Sequence, residues 1–441
     1  MEPIHFRGKS YSAKKRYFAG THRIQSPEET WEKIAPLAPY IGLTRVANIT
    51  GLDRMGIPVT LAIRPRSKTL ATSSGKGLSL VIAQVSGFME ALELYCAEEI
   101  ILPFRTLSYH QLIQESATIP VDQLPFRKNS LFNPAWPEKW TMGWDLLQQR
   151  EVAAPLLAVE LNYCTESAHR HSWKEHLSFE ESSNGLASGN HFLEALTSAI
   201  YEIIERDAIA CHQFAADTLP YSIPRIRLET IPYKSVSQLI GQMETMGFHS
   251  FLYDCTVDTK VPVFMASIYD KVIYKIGLGT GYGAHLDPEV AMLRALTEAI
   301  QGRLVTIAGS RDDMFSIHLP CDQFDTQSLL KSLESVLATV DVSAVHSEST
   351  ATLEGDTHIL IDKLKKVGID QILVFDLSHP EFDLSVVRVL IPGLQTHYSF
   401  FSHVGERARK FADQKRSEVD QTQTSGPIFV KGIHLPAGGA V

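Results

Sequence analysis

Residues 198–206 read SAIYEIIER, with polar side chains at the first, fifth and eighth positions. The segment SGFMEALE at 86–93 repeats this spacing, and RALTEAIQ at 294–301 repeats it with other polar residues. The nine positions are Ser198, Glu202 and Glu205, then Ser86, Glu90 and Glu93, then Arg294, Glu298 and Gln301. Because an α-helix turns about 100° per residue, each set falls within an arc of roughly 60° on one helix face.

Two interpretations of this repeat are open. An amphipathic helix with a charged solvent face would show the same spacing. Two of the copies, however, place acid beside acid without a compensating lysine, which destabilises an isolated helix by roughly a few tenths of a kcal/mol. Each copy also follows a glycine-rich stretch, GKG at 75–77, SNGLASGN at 183–190 or GTGYGA at 279–284, which we expect to form a turn. These features favour a polar site between three long helices.

Four carboxylates on converging helices predict a site for Mg²⁺ and a polyphosphate. Mg²⁺ takes oxygen ligands and is often held by one or two carboxylates together with phosphate oxygens. Basic side chains neutralise phosphate charge, and Lys76, Arg206, Arg294 and Arg303 stand near the repeated positions. The chain contains neither G-x-x-x-x-G-K-[ST] nor a kinase glycine loop, so a nucleotide site here is not a P-loop.

These segments resemble the YcaO superfamily, ATP-dependent enzymes that activate backbone amides of peptides. The resemblance covers roughly residues 70–400 and rests on SGKGLSLVIAQVSGFMEALE, SSNGLASGNHFLEALTSAIYEIIERDA and GYGAHLDPEVAMLRALTEAIQGR. It implies a mixed α+β fold in which β-sheets pack against long helices that converge on the ATP site. GTHRIQSPEET, GSRDD and VVRVLIPGL are similar to the branch often accompanied by a TfuA-like partner.

The resemblance also implies roles for individual residues. The implied Mg²⁺ ligands are Glu90, Glu93, Glu202 and Glu205. The implied nucleotide contacts are Lys76, Ser86, Asn184, Arg206, Arg294 and Glu298, with Arg23 and Thr30 as weaker candidates from the N-terminal segment. The implied catalytic residues are Glu202, Glu205 and Arg206.

The implied reaction is O-phosphorylation of a peptide backbone amide, with ATP and Mg²⁺ as cofactors. Azoline-forming relatives often end in a Pro-x-Pro-x-Pro tail, whereas this chain ends in HLPAGGAV with one proline. That difference favours thioamide formation in a ribosomally made peptide or protein. An azoline-forming cyclodehydratase and an accessory factor for ribosomal protein methylthiolation remain alternatives. We expect a TfuA-like partner, a precursor peptide or protein as substrate, and a homodimer.

The composition suits a globular protein of 441 residues, with 44% hydrophobic and 21% charged residues and a formal net charge of −9. This charge argues against nonspecific nucleic-acid binding. No run reaches the roughly 18 apolar residues of a membrane span, and the N-terminus lacks an apolar signal region, so we expect a cytoplasmic protein. The expected domains are an N-terminal segment contributing to the nucleotide site (1–68), a catalytic domain (69–410), and a polar linker with a C-terminal tail (411–441).

Overall fold

The computed structural model describes residues 2–126, 130–161, 178–272, 278–311, 326–396 and 404–422. Its helices are α1 (Pro27–Ile34), α2 (Leu80–Glu98), α3 (Tyr109–Glu115), α4 (Phe192–Thr218), α5 (Lys234–Thr245), α6 (Pro288–Ala308), α7 (Thr326–Ser335), α8 (Leu353–Lys366) and α9 (Glu406–Thr422). The C-terminal tail discussed above lies outside the described residues.

Strands alternate with these helices, which confirms the expected mixed α+β class. The strands are β1 (Ile4–Phe6), β2 (Lys9–Tyr11), β3 (Arg16–Phe18), β4 (Thr21–Arg23), β5 (Arg45–Asn48), β6 (Val59–Ile63), β7 (Thr72–Lys76), β8 (Phe104–Ser108), β9 (Pro137–Asp145), β10 (Arg150–Pro155), β11 (Leu186–Gly189), β12 (Arg225–Ile226), β13 (Phe248–Asp254), β14 (Val263–Asp270), β15 (Leu278–Ala284), β16 (Ala338–Val340), β17 (Leu373–Asp376) and β18 (Ser385–Leu390).

Three larger sheets and two short hairpins make up the β-structure of the described residues. The sheets have the orders β5-β6-β7, β10-β9-β17-β18-β11 with β8 paired to β9, and β15-β14-β13-β12-β16. Most neighbouring strands are antiparallel, and the hairpins are β1-β2 and β3-β4. In each larger sheet the strand at one end, β7, β11 or β15, leads directly into a long helix.

The glycine-rich stretches before the long helices differ from the predicted turns. Gly75 lies inside β7, and Gly281 lies inside β15; Gly185 alone of these three has a positive φ (79°) and turns the chain before β11. A Cβ on Gly75 would stand 2.0 Å from the carbonyl oxygen of Ala83, and one on Gly281 would stand 2.2 Å from the amide nitrogen of Ala299. The glycines therefore let helix backbone lie directly on strand backbone.

The three strand–helix units β7–α2, β11–α4 and β15–α6 form a closed ring. Each helix packs on its own strand and on the strand of the next unit: α2 on β7 and β11, α4 on β11 and β15, α6 on β15 and β7. We call this arrangement the ring. It turns the polar faces of the three helices toward one centre.

Each ring helix buries its opposite face in a separate hydrophobic core. Phe88 and Leu92 of α2 pack with Trp140 and Phe375 of the largest sheet. The isoleucines of α4 lie in a second core, and Leu296 and its neighbours on α6 lie in a third. Burying a leucine or phenylalanine side chain contributes about 1.5–3 kcal/mol each, so these apolar faces fix the orientation of the polar ones.

Helix α2 is long and apolar enough to cross a membrane, by its length and composition. Half of that stretch is buried inside the fold, and the helix carries Glu90 and Glu93 on its polar face. A core helix of a globular fold can have the same length and composition, and α2 is such a core helix in this structure.

The polar linker predicted from residue 411 is wrong over the part that the structure describes. Residues Glu406–Thr422 form α9, which packs along α4. The Arg407 guanidinium contacts the buried carboxylate of Asp207 at 2.7 Å, and Phe411 packs against the ring of His212. A buried ion pair and an aromatic anchor hold a helix whose remaining surface is polar, a feature that composition alone does not reveal.

Replacing Gly281 by alanine should destabilise the protein by about 1–3 kcal/mol, because the new Cβ would meet helix backbone, which has no side-chain freedom to yield. Urea unfolding measures this change. Gly241 in α5 is the matched control, since a Cβ there meets no atom within 4 Å. Gly241→Ala should leave stability unchanged or raise it by up to about 1 kcal/mol. Equal effects of the two substitutions would contradict this packing.

Candidate functional site

The polar faces of the three ring helices line one cavity of about 340 Å³. The predicted site residues that line it are Arg23, Thr30, Lys76, Ser86, Glu90, Glu93, Glu202, Glu205, Arg206, Arg294 and Glu298. Asn184 does not line this cavity; it lies in a small neighbouring cavity beside Arg388. The three helices thus bring together side chains that are more than 200 residues apart in the sequence.

The last acidic position of α2 and of α4 is bound to the strand of the next unit. Glu93 Oε1 accepts hydrogen bonds from the Ser188 amide at 2.8 Å and the Ser188 hydroxyl at 2.6 Å. Glu205 Oε2 accepts one from the Ala284 amide at 2.8 Å. These bonds tie α2 to β11 and α4 to the end of β15. They use only one oxygen of each carboxylate, so the second oxygen of Glu93 and of Glu205 takes no part in them.

Gln301 makes the third of these connections, but its side chain donates the hydrogen bonds, whereas Glu93 and Glu205 accept them. Its amide nitrogen donates to the carbonyl oxygen of Ser74 at 2.6 Å and to the hydroxyl of the same residue at 2.7 Å. A glutamate at this position would place its charge against a carbonyl oxygen. The third copy of the repeat therefore carries glutamine because β7 presents an acceptor there, where the other two strands present a donor.

The middle acidic positions face the centre of the cavity and pair with its basic groups. Glu298 contacts the Lys76 ammonium at 2.7 Å. Glu202 lies 3.4 Å from the Arg206 guanidinium, one helical turn along α4. Glu90 of α2 lines the same cavity as Glu298 of α6, and the charge of Glu298 adds to burial in raising the pKa of Glu90.

Burial raises the pKa of Glu90, Glu93, Glu202 and Glu205, and for Glu90, Glu93 and Glu205 the charge of neighbouring carboxylates raises it further. The pKa of Glu93 rises from 4.5 to about 8, with Glu90 and Glu202 as the repelling neighbours. The pKa of Glu90 rises to about 7. Burial and Glu298 raise the pKa of Glu205 to about 7. Such a cavity takes up protons or cations, because it lacks enough positive charge of its own.

Two arginines add positive charge at the rim between the N-terminal segment and α6. Burial lowers the pKa of Arg23, while the charge of Glu194 opposes that change. The Nε of Arg294 is buried and has no hydrogen-bond partner among the described residues. Arg303 is different: it contacts Asp53 and Asp270 at 2.6 Å each, in a buried network outside the cavity, so its predicted position near the phosphates is wrong.

The cavity also contains polar residues that were not predicted, of which Glu194 is the most connected. Its carboxylate accepts from the Ile24 amide at 2.5 Å and from the Asn190 amide at 2.8 Å. Asn190 in turn donates its side-chain nitrogen to the Thr30 hydroxyl at 2.8 Å. Glu194 precedes Ser198 by one helical turn on the same face, so extending the repeat backward by four residues would have found it.

The donor set fits Mg²⁺ together with a phosphorylated ligand. Within the described ranges, no three His, Cys, Asp or Glu side chains stand close enough to chelate a metal by themselves. The cavity offers carboxylate oxygens on one side and lysine and arginine on the other. Mg²⁺ suits such a site, because it completes its coordination with water and phosphate oxygens.

The family model for YcaO cyclodehydratase, described as ATP- and Mg²⁺-binding, matches residues 74–395, which include the ring except for the first two residues of β7. The chain belongs to the YcaO family. This result confirms the expected family, and it confirms ATP and Mg²⁺ as the cofactors at family level. A protein of Rhizobium leguminosarum bv. trifolii, named as an uncharacterized protein in the tfuA 3′ region, is 32% identical over 387 residues, covering 86% of this chain and 89% of its own.

Solved YcaO structures share the fold. A heterocyclase in complex with substrate and cofactor superposes with a TM-score of 0.72 at 22% identity, covering 92% of this chain and 56% of the heterocyclase. The YcaO protein from Methanopyrus kandleri, bound with AMPPCP and Mg²⁺, superposes with a TM-score of 0.67 at 22% identity, covering 86% and 94% of the two chains. At this identity the likeness establishes the fold of the chain.

Glu93→Gln should stabilise the ligand-free protein at high pH and not at low pH. Between the unfolded pKa of 4.5 and the folded pKa of about 8, the folded state holds a proton that the unfolded state has released, so stability falls as pH rises. The neutral amide avoids this loss. We expect the variant to be more stable than the wild type by about 1–3 kcal/mol near pH 8, with the difference shrinking toward zero near pH 5.

Urea titrations at the two pH values measure this difference. Glu32→Gln, on the exposed face of α1, is the control and should show no such pH dependence. A Glu93→Gln difference that is constant with pH, or that grows as pH falls, would show that Glu93 is charged in the folded ligand-free protein.

Proposed function

We propose that this protein activates a backbone amide of a peptide by ATP-dependent O-phosphorylation, and that the product is a thioamide. The observation that carries the proposal is the ring, which gathers acidic and basic side chains from three distant helices around one cavity. Membership of an ATP- and Mg²⁺-binding family supports the nucleotide as the ligand of that cavity.

The chemistry needs ATP because an amide oxygen is a poor leaving group, and transfer of the γ-phosphoryl group converts it into phosphate. With hydrosulfide as nucleophile, a carbon–sulfur bond forms, the carbon–oxygen bond breaks, and the oxygen leaves with the phosphoryl group. The proton of hydrosulfide ends on the released phosphate, so amide, ATP and hydrosulfide give thioamide, ADP and phosphate. The protein contributes mainly positioning and electrostatic stabilisation.

The acidic residues would hold Mg²⁺. Glu90 and Glu202, which face the centre, and Glu93 and Glu205, each with one oxygen bound to a neighbouring strand, are the proposed ligands. Strand-bound carboxylates cannot rotate freely, so the site is already formed before the metal binds. Mg²⁺ supplies charge neutralisation for the phosphate oxygens, and its binding would relieve the repulsion that raises the carboxyl pKa values.

The basic and hydroxyl groups would contact the nucleotide. Arg206, whose pKa rises because Glu202 and Glu205 outweigh the effect of burial, stays charged and is the proposed electrostatic stabiliser of the transferred group. The Nε of Arg294 is buried and has no hydrogen-bond partner within the described part of the chain, and Arg294 is a proposed phosphate contact. The further proposed contacts are Lys76, Ser86, Glu298, Arg23, Thr30 and, from its neighbouring cavity, Asn184.

The N-terminal segment would close one side of the nucleotide site. Seven residues between positions 19 and 30, among them Arg23 and Thr30, line the cavity, and the Glu194 carboxylate holds this segment by accepting a hydrogen bond from the Ile24 amide. We therefore propose that an N-terminal segment (1–68) completes the nucleotide site of a catalytic domain (69–410).

One observation supports a thioamide over an azoline. The Rhizobium relative is named for its position beside tfuA, which supports a TfuA-like partner, and with it the branch that the sequence resembles. A precursor peptide or protein is the proposed substrate, and a homodimeric, cytoplasmic enzyme remains our expectation.

Mass spectrometry of the peptide product tests the reaction. The protein, the TfuA-like partner and a candidate precursor peptide are incubated with ATP, Mg²⁺ and sodium sulfide. Exchange of one oxygen for one sulfur is the expected result. Loss of one water from a Cys, Ser or Thr site would show an azoline-forming enzyme instead, and an unmodified peptide without ATP turnover would favour an accessory role.

Glu202→Gln should abolish peptide-stimulated ATP turnover, a loss of more than about 100-fold, because it removes a proposed metal ligand beside Arg206. The fold should persist, and ligand-free stability should hold or rise, since repulsion in the cavity falls. Glu244→Gln, exposed on α5, is the control. A Glu202→Gln variant that hydrolyses ATP at the wild-type rate, and whose melting temperature still rises with Mg·ATP, would refute the role of Glu202.

A further inference from the structure

A second, much smaller cavity adjoins the nucleotide cavity. Its volume is about 20 Å³, and Arg23 and Arg294 line both cavities. It is further lined by Lys15, His22, His285 and Asp356, and we call it the side chamber. A space of this size holds one water molecule or one ion not much larger.

The Asp356 carboxylate in the side chamber is already supplied with donors. One oxygen accepts from the Lys15 ammonium and, at 3.2 Å, from the Ser349 hydroxyl. The other accepts from the Thr350 amide at 2.7 Å and the Thr350 hydroxyl at 3.0 Å. This carboxylate therefore has little capacity left to bind a cation or to orient a further donor.

The second carboxylate on the wall, Glu194, is likewise engaged. Each of its oxygens accepts a hydrogen bond from a backbone amide, one from that of Ile24 and the other from that of Asn190. The hydroxyl of Thr197, also on the wall, donates to the carbonyl oxygen of Leu193 at 2.7 Å. The main hydrogen-bond acceptors around the side chamber are thus already bonded to other groups of the protein.

Donors, in contrast, are in excess. The Nε of Arg294 is buried without a hydrogen-bond partner among the described residues, and so is the Nδ1 of His22, which donates in one of the two tautomers of its ring. Nδ1 of His285 accepts from the Asp287 amide at 2.9 Å, so its hydrogen lies on Nε2. Burial lowers the pKa of His285, and the nearby groups His22, Lys15, Arg294 and Arg23 lower it further.

We propose that the side chamber binds one small monovalent anion, and that hydrosulfide is its natural occupant. A metal cation would find both carboxylates of the wall already supplied with donors, and a phosphate group is too large for the space. Hydrosulfide is close to chloride and bromide in size and charge. The choice of hydrosulfide rests on the proposed function, whereas the anion site itself rests on the volume, the committed carboxylates and the unpartnered donors.

The position of the side chamber gives such an anion a role in the reaction. It adjoins the nucleotide cavity across Arg23 and Arg294, which are also proposed to contact the phosphates. A sulfur nucleophile held there would lie beside the nucleotide and would be retained by the same positive charge. Because hydrosulfide attacks the amide carbon whose oxygen receives the γ-phosphoryl group, an anion held beside the phosphates would be close to that carbon, which lowers the entropic cost of the attack.

Two variants test the charge requirement. Lys15→Gln removes one positive charge from the wall and keeps a donor for Asp356. Lys15→Gln combined with Asp356→Asn removes opposite charges together, so the net charge of the wall matches that of the wild type. The double variant is thus the control for any structural effect of losing the Lys15–Asp356 ion pair.

Anomalous diffraction from crystals of the full chain grown in sodium bromide locates the anion. We expect bromide in the side chamber of the wild type and the double variant, and a water or no peak in Lys15→Gln. A water in the wild-type side chamber would overturn the proposal. Bromide at equal occupancy in all three proteins would also overturn it, since that would be an adventitious ion only.

Sulfide dependence of thioamidation, measured on the same proteins with sodium sulfide, tests the natural occupant. Lys15→Gln should raise the sulfide concentration for half-maximal rate by about tenfold, with the KM for ATP unchanged, while the double variant stays near the wild type. Unchanged sulfide dependence in Lys15→Gln would overturn the assignment to hydrosulfide. If the wild type forms no thioamide while bromide follows the predicted pattern, the proposed function fails and the anion site stands.

Discussion

The hydrogen bond from the Ser188 amide to Glu93 is the interaction on which the site depends, together with its two counterparts around the ring. Each joins the last polar position of one ring helix to the strand of the next unit. Three such joints close a ring, so no unit can rotate without breaking a buried polar contact. An unmade bond of this kind leaves a buried carboxylate unsatisfied, at a cost of about 1–3 kcal/mol or more.

This constraint explains why one protein repeats the same polar spacing on three helices. The last position of each copy holds the ring together, and the middle position faces the common cavity. Burying several carboxylates within one cavity is costly, which their raised pKa values record, and Lys76, Arg206 and Arg294 offset only part of that cost. The buried carboxylates lower the stability of the ligand-free protein, and bound cations complete the site that they form.

The sequence predicted the parts of the site that follow from helical periodicity. The polar faces at 86–93, 198–205 and 294–301 were identified because one residue every 100° or so defines a face. The glycine stretches were predicted as turns because sequence statistics associate glycine with turns, whereas Gly75 and Gly281 are required by close backbone contact between strand and helix. Arg303 stands beside the repeat in sequence, yet its side chain turns to Asp270, a contact that only tertiary structure creates. Helix α9 was missed because tertiary contacts, the ion pair of Arg407 with Asp207 and the packing of Phe411 on His212, anchor a polar segment.

A structure of the chain with Mg²⁺ and a non-hydrolysable ATP analogue tests the central claim, that the ring forms one nucleotide site from three helices. We expect a triphosphate between α2, α4 and α6, with Mg²⁺ bound by carboxylates from both α2 and α4. We also expect Glu93 to keep its hydrogen bonds to Ser188 when the metal binds. A triphosphate outside this cavity, or metal ions held without any of Glu90, Glu93, Glu202 and Glu205, would contradict it.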